Sequence, residues 1–196
     1  MDKRRITGIA ATMLAVVLSV SGAAAMQQGS ATPAAQSDIF DPVVAEATPI
    51  SGVETFTVSS AEHSTEPVTY PQDPPAGGPH APNWQKCRVY NAPVQNETAV
   101  HSQEHGAVWI TYQPDLPKAE QEVLAALAKE QRFVLVSPYP DLKSPVVASA
   151  WGAQLHLDDV KDPRLAEFVA RFAGNGPEPG ANCESGVETT IAGDQG

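Results

Sequence analysis

His101-Ser-Gln-Glu104-His105-Gly106-Ala-Val-Trp-Ile-Thr-Tyr112 is the stretch whose reading decides the fold. Its first half suits the end of a short helix: Asn96 can cap it, and Gly106 tolerates the left-handed conformation in which helices stop. Its second half is an apolar run too short for a helix and rich in β-branched and aromatic residues, which predicts a buried strand over Ala107–Tyr112. A helix that stops on glycine and runs straight into a buried strand belongs to a mixed α and β architecture.

The same alternation continues on both sides. Asp115-Leu-Pro117 opens a second helix, with proline where a missing amide is harmless, and Val123, Leu124 and Leu127 form its apolar face. Phe133-Val-Leu-Val136 reads as a fully buried strand, and Val146–Trp151 and Gln154–Leu157 as two more, separated by Gly152. Asp162-Pro163 starts a third helix in which Leu165, Phe168, Val169 and Phe172 recur at helical spacing, and Gly174 ends it. Upstream, the alternation over Val53–Val58 predicts a first strand. The stretch from Tyr70 to Trp84 holds too much Pro and Gly for either regular element. The expectation is an α/β (α+β) fold: a single compact domain over residues 50–187 with a mixed sheet, flanking helices and a long Pro/Gly-rich loop.

The N-terminus has a different composition. Lys3-Arg4-Arg5, an uncharged apolar stretch and Gly22-Ala-Ala-Ala25 describe a signal peptide over residues 1–25; an uncleaved membrane anchor is the alternative. Residues 26–49 carry acidic side chains but no Lys or Arg, and predict a disordered acidic linker. Residues 188–196 read as a flexible tail. The chain has 23 Asp and Glu against 12 Lys and Arg, a net charge of −11, and no basic stripe, which excludes nucleic acid and anionic membrane surfaces as partners. Cys87 and Cys183 are the only cysteines. Outside the cytoplasm such a pair forms a disulfide, and nothing here resembles the CxxC pairs of thiolate metal sites.

Chemistry concentrates in the histidines. His101 and His105, at i and i+4, project from one face of a helix, with Glu104 beside them. His80 lies in a Gly-Gly-Pro-His turn whose small neighbours allow close approach, and His63 follows the first strand. Converging imidazoles suit copper(II) or zinc rather than calcium or magnesium. Met26 is the only methionine past residue 25, so a methionine-rich copper(I) carrier is excluded. His156 alternates with Leu155 and Leu157 and points off a strand. The segment also matches H-x-x-E-H, which would make Glu104 the base of a small metal-dependent hydrolase, but Gly106 ends the helix at once. Ser102 and His105 face different ways, and neither a nucleophile elbow nor a phosphate-binding loop occurs.

Pro74-Pro75-Ala-Gly-Gly78-Pro79-His80-Ala-Pro82-Asn-Trp84, the His101–Ile110 segment, Val136-Ser-Pro-Tyr-Pro140 and Ala148-Ser-Ala-Trp151-Gly152 together resemble the bacterial domain of unknown function 3105 family. The likeness spans roughly residues 50–187. It implies an exported bacterial protein, with a histidine near His63 and cysteines at Cys87 and Cys183, and it implies no reaction. The expectation is therefore an exported domain that binds copper(II) or zinc through His101, His105, His80, His63 and Glu104. The alternatives are a metal-free structural or protein-interaction module of the cell envelope and the small hydrolase.

Overall fold

A computed structural model describes residues 48–180 and 182–194. The segment read as a signal peptide (1–25), and the acidic linker as far as residue 47, lie outside the described residues. Among those described, no helix is long and apolar enough to cross a membrane.

In chain order the elements are β1 (Val53–Thr55), α1 (Asn96–Glu104), β2 (Val108–Tyr112), α2 (Lys118–Glu130), β3 (Val134–Pro138), β4 (Val146–Ala150), β5 (Ala153–Leu157), α3 (Pro163–Phe172), β6 (Thr189–Thr190) and β7 (Gly193–Asp194). The first five strands make one mixed sheet in the order β1-β5-β4-β2-β3. Strands β2 and β3 run parallel, joined through α2, and every other neighbouring pair is antiparallel. The predicted α+β domain with a mixed sheet is what forms.

A strand places alternate residues on opposite faces, and here the two faces differ in chemistry. Val108, Ile110, Val134, Val136, Val146, Ala148, Leu155 and Leu157 all join one apolar core, which α2 closes with Leu124 and α3 with Leu165, Phe168 and Val169. Helix α3 starts as its sequence suggests, the Asp162 carboxylate accepting a bond from the Arg164 amide. The opposite face carries Trp109, Thr111, Leu135, Ser137, Val147, Ser149 and Gln154, all buried, so polar groups stand beside a smaller apolar cluster of Trp109, Leu135, Tyr90, Val94 and Ala99. Their partners are specific: Trp109 Nε1 donates to Ser137 Oγ at 3.0 Å, and Gln154 Nε2 donates to Ser149 Oγ and to the Pro74 carbonyl at 2.8 Å each.

Helix α1 lies on this polar side, and its residues Thr98–Glu104 are all buried. Residues 56–95, which form no helix or ladder strand, wrap around it and are tied to it through buried side chains. Thr98 Oγ1 bonds Gln85 Oε1, Ser102 Oγ donates to the Gln85 carbonyl, and Gln103 Nε2 donates to the Pro75 carbonyl. The Cys87–Cys183 disulfide joins this layer to the segment after α3, closing a loop with a sequence separation of 96.

Three local expectations need correction. Asn96 is not the cap of α1: extended Gln95 takes that position without a side-chain cap, and Asn96 Nδ2 reaches Tyr139 Oη instead. Strand β1 stops at Thr55 rather than Val58, because its partner there, Ala153, is the first residue of β5 and beyond it lies the β4–β5 turn. Past residue 187, where the sequence reads as a tail, β6 and β7 pair as a short hairpin, anchored by the Ile191 amide to the Pro93 carbonyl and by Gln85 Nε2 to the Thr189 carbonyl.

Candidate metal centre

Gly106 sets the geometry of the helix end that carries two of the histidines. Its φ of +96° lies in the left-handed region, and a Cβ there would stand 2.8–2.9 Å from backbone atoms of Gly174, Asn175 and Gly176. Only glycine lets the chain leaving α3 cross this closely, with the Gly174 amide bonded to the Gly106 carbonyl. The crossing brings Glu178 onto α1: its amide donates to the Glu104 carbonyl, and its own carbonyl faces His105. Gly77, at φ +102°, makes the other close approach; a Cβ would meet Val58 at 2.8 Å and Trp151 at 3.2 Å. That contact sets the turn carrying His80 against the sheet.

The result is convergence. One ligating atom from each of His63, His80, His101 and Glu104 lies within 4.8 Å of the others. His63 and His80 are held side by side by a backbone bridge, with Ser64 N bonded to the His80 carbonyl at 2.7 Å and His80 N to the Glu62 carbonyl at 3.0 Å. The rings of His63, His80 and His101 have centroids 4.7–5.1 Å apart. His80, His101 and Glu104 are buried, whereas His63 is exposed. His105 stands outside this set of four, with its Nε2 2.9 Å from Nε2 of His101.

Backbone carbonyls orient three of the rings. Nδ1 of His80 faces the Gly78 carbonyl at 2.8 Å, Nδ1 of His101 the Ala81 carbonyl at 2.6 Å, and Nδ1 of His105 the Glu178 carbonyl at 3.2 Å. A carbonyl can only accept, so each Nδ1 carries the proton and each neutral ring presents the lone pair of Nε2. Metal-bound imidazoles are held in the same way, their second nitrogen donating to a carbonyl or carboxylate.

With Nδ1 as the protonated nitrogen, two contacts bring acceptors together. Nε2 of His80, fully buried, lies 3.1 Å from Glu104 Oε2 yet has no hydrogen-bond donor or acceptor partner. Two acceptors face each other there. The His101–His105 contact is of the same kind, with Nε2 against Nε2. Such contacts become favourable when a proton or a cation is shared between the two acceptors. Extra protons are costly at this place: burial first, and then the neighbouring His80, His105 and His63, lower the His101 pKa to about 4 against the opposing Ala81 hydrogen bond. A neutral imidazole is the form that binds metal.

The other predicted roles resolve by geometry. Ser102 Oγ donates to the carbonyls of Gln85 and Thr98, which removes it from His105. His156 lies apart from the cluster, bonded to Ser144 and Gln154. Two further residues border the site: Trp84, which by residue type suits a ligand pocket or the core, and Glu178. Trp84 sets its ring edge-on to both His101 and His105, at 5.5 and 5.2 Å, and Glu178 supplies the carbonyl that fixes His105. The place of Trp84 at the end of the Pro74–Trp84 motif is a usable signal; Glu178, in an Asn/Gly/Pro stretch, gives none.

No curated protein and no solved structure matches this chain. A family model matches residues 62–185, more than half of the chain and a span that holds every member of the cluster, so the chain belongs to the family described as Protein of unknown function (DUF3105).

Proposed function

We propose that residues 50–187 form an exported domain that binds one transition-metal ion, copper(II) or zinc, through His63, His80, His101 and Glu104, with His105 as a further imidazole at its edge. The observation that carries this reading is the convergence of the four side chains, one ligating atom from each within 4.8 Å of the others, with buried His80 Nε2 3.1 Å from Glu104 Oε2. Two ligands on one metal, each with a bond of about 2.0–2.1 Å, stand about 3 Å apart. Three imidazoles and one carboxylate also suit borderline metals better than hard cations. Export rests on the basic, apolar and small-residue order of residues 1–25, and on a disulfide that persists in oxidising compartments. We assign no reaction, because Glu104 counts among the ligands rather than behind them.

Titration of the purified protein with Cu(II) and Zn(II) tests the proposal. Tight one-to-one binding is expected, weakened at least about a hundredfold in a His101→Ala, His105→Ala double variant, since lost ligands typically cost several kcal/mol. Equal binding by protein and variant would overturn it. A second reading has support in the three carbonyl bonds that hold the rings. If the histidines only brace the polar layer, the double variant loses the same thermal stability with and without a chelator.

A further inference from the structure

A second concave feature lies beside the cluster, on the far side of the Ser64 and Ala81 backbone. It encloses about 760 Å³, within the range of binding pockets of roughly 300–1,000 Å³. Glu66, Asp73, Glu97 and Asp141 line it, and no Lys, Arg or His does. Among the described residues none of these four carboxylates is ion-paired with Lys or Arg. Asp73 and Glu97 accept from neutral donors, the Tyr139 hydroxyl and the Val68 amide, so among the described residues no basic side chain offsets this charge. Gathering carboxylates round a concavity makes its potential strongly negative and favours a cation.

The carboxylates do not converge on a point, since the only cluster able to grip a metal among the described residues is the histidine one. Spread charge suits an extended ligand with several positive groups. The floor is apolar, formed by Pro93, Val94 and Tyr139, with Ile191 at the rim. Ile191 is 68 % exposed, the only large hydrophobic residue so exposed among those described. Its amide is bonded to the Pro93 carbonyl at 2.8 Å, so the side chain is held out by the β6–β7 turn and not by fraying. The ring constraint of Pro67, Pro82 and Pro93 stiffens the walls, which lowers the entropy cost of binding.

We propose that this cleft binds a short basic segment of another polypeptide, its Arg or Lys side chains on the four carboxylates and an aliphatic or aromatic side chain on Ile191 and Tyr139. A polyamine would match the charge but leave the apolar floor and Ile191 unused. This site stands whether or not the histidine cluster holds a metal. The test is fluorescence anisotropy with the full chain and a labelled, end-blocked pentapeptide alternating arginine and leucine, measured first in chelator and then with Zn(II). Saturable binding is expected in both, weakening with salt, by about tenfold in a Glu66→Gln, Asp141→Asn variant and severalfold in Ile191→Ser. These side chains are exposed, and asparagine tolerates the φ of +59° at position 141, so the variants should fold. Absence of saturable binding, or binding indifferent to these substitutions, would overturn the proposal. Equal affinity for spermidine, unaffected by Ile191→Ser, would replace the peptide with a polyamine.

Discussion

The two faces of the central sheet use the same five-residue strands for opposite purposes. On one face, Val, Ile, Leu and Ala meet α2 and α3, and shape alone decides the fit. On the other, Trp109, Ser137, Ser149 and Gln154 meet a wrapped segment whose backbone carbonyls, at Pro74, Pro75, Gly78 and Ala81, take up buried donors. The first face is stabilised by area removed from water. The second adds to a smaller apolar cluster of Tyr90, Val94, Ala99, Trp109 and Leu135 the satisfaction of polar groups one at a time, and it leaves Nε2 lone pairs at its edge. A protein interior that keeps acceptors unpaired has either a cost to bear or a ligand to receive.

The difference can be broken from either side. The largest effect is expected from Cys87→Ser with Cys183→Ser, which frees the polar layer from the chain after α3; denaturant unfolding should show a loss of about 4–5 kcal/mol in the chain-entropy model. Phe168→Ala empties a fully buried position on the apolar face and should cost about 4 kcal/mol. Metal affinity of the folded protein should not change in that variant. If it does, the two faces are coupled and the separation drawn here fails.

Between pH 7 and pH 4, acid should act on the polar face through His101. The folded pKa of His101, about 4, lies below its ordinary 6.5, so the unfolded chain binds the proton more readily. That contribution to stability is full above pH 6.5, fades as pH falls towards 4, and amounts to about 3 kcal/mol. In chelator, stability measured from pH 7 to pH 4 should fall more steeply in the natural protein than in His101→Leu. Parallel curves would show that His101 is not held neutral by the fold. The smallest effect is expected for Gln154→Ala, about 1–3 kcal/mol, because the Pro74 carbonyl loses its side-chain donor. A loss near zero would mean that the sheet does not hold the Pro/Gly segment in place.

The contrast also explains how far the sequence could be read. Apolar spacing in Leu165, Phe168 and Val169, the glycine stops and the β-branched runs reveal α2, α3 and the five strands of the sheet, β1 with its end too far on, because one face of each element follows solvent and core. Helix α1 gave no such pattern, being enclosed all round from Thr98 to Glu104. It was legible only through its histidines and Gly106. The grouping of His63, His80, His101 and Glu104 could be guessed from residue type, whereas its orientation depends on carbonyls, which every residue carries and no sequence distinguishes. For the same reason the contact of Glu178 with His105 had no signature, and Asn96 was read as a cap when its side chain serves Tyr139.

X-ray absorption of the protein loaded with one equivalent of Cu(II) or Zn(II) tests the central claim most directly. The account predicts a first shell at about 2.0 Å with the multiple-scattering signature of three or more imidazoles, reduced in number by His80→Ala. A shell of oxygen ligands without imidazole scattering, unchanged by that substitution, would contradict it.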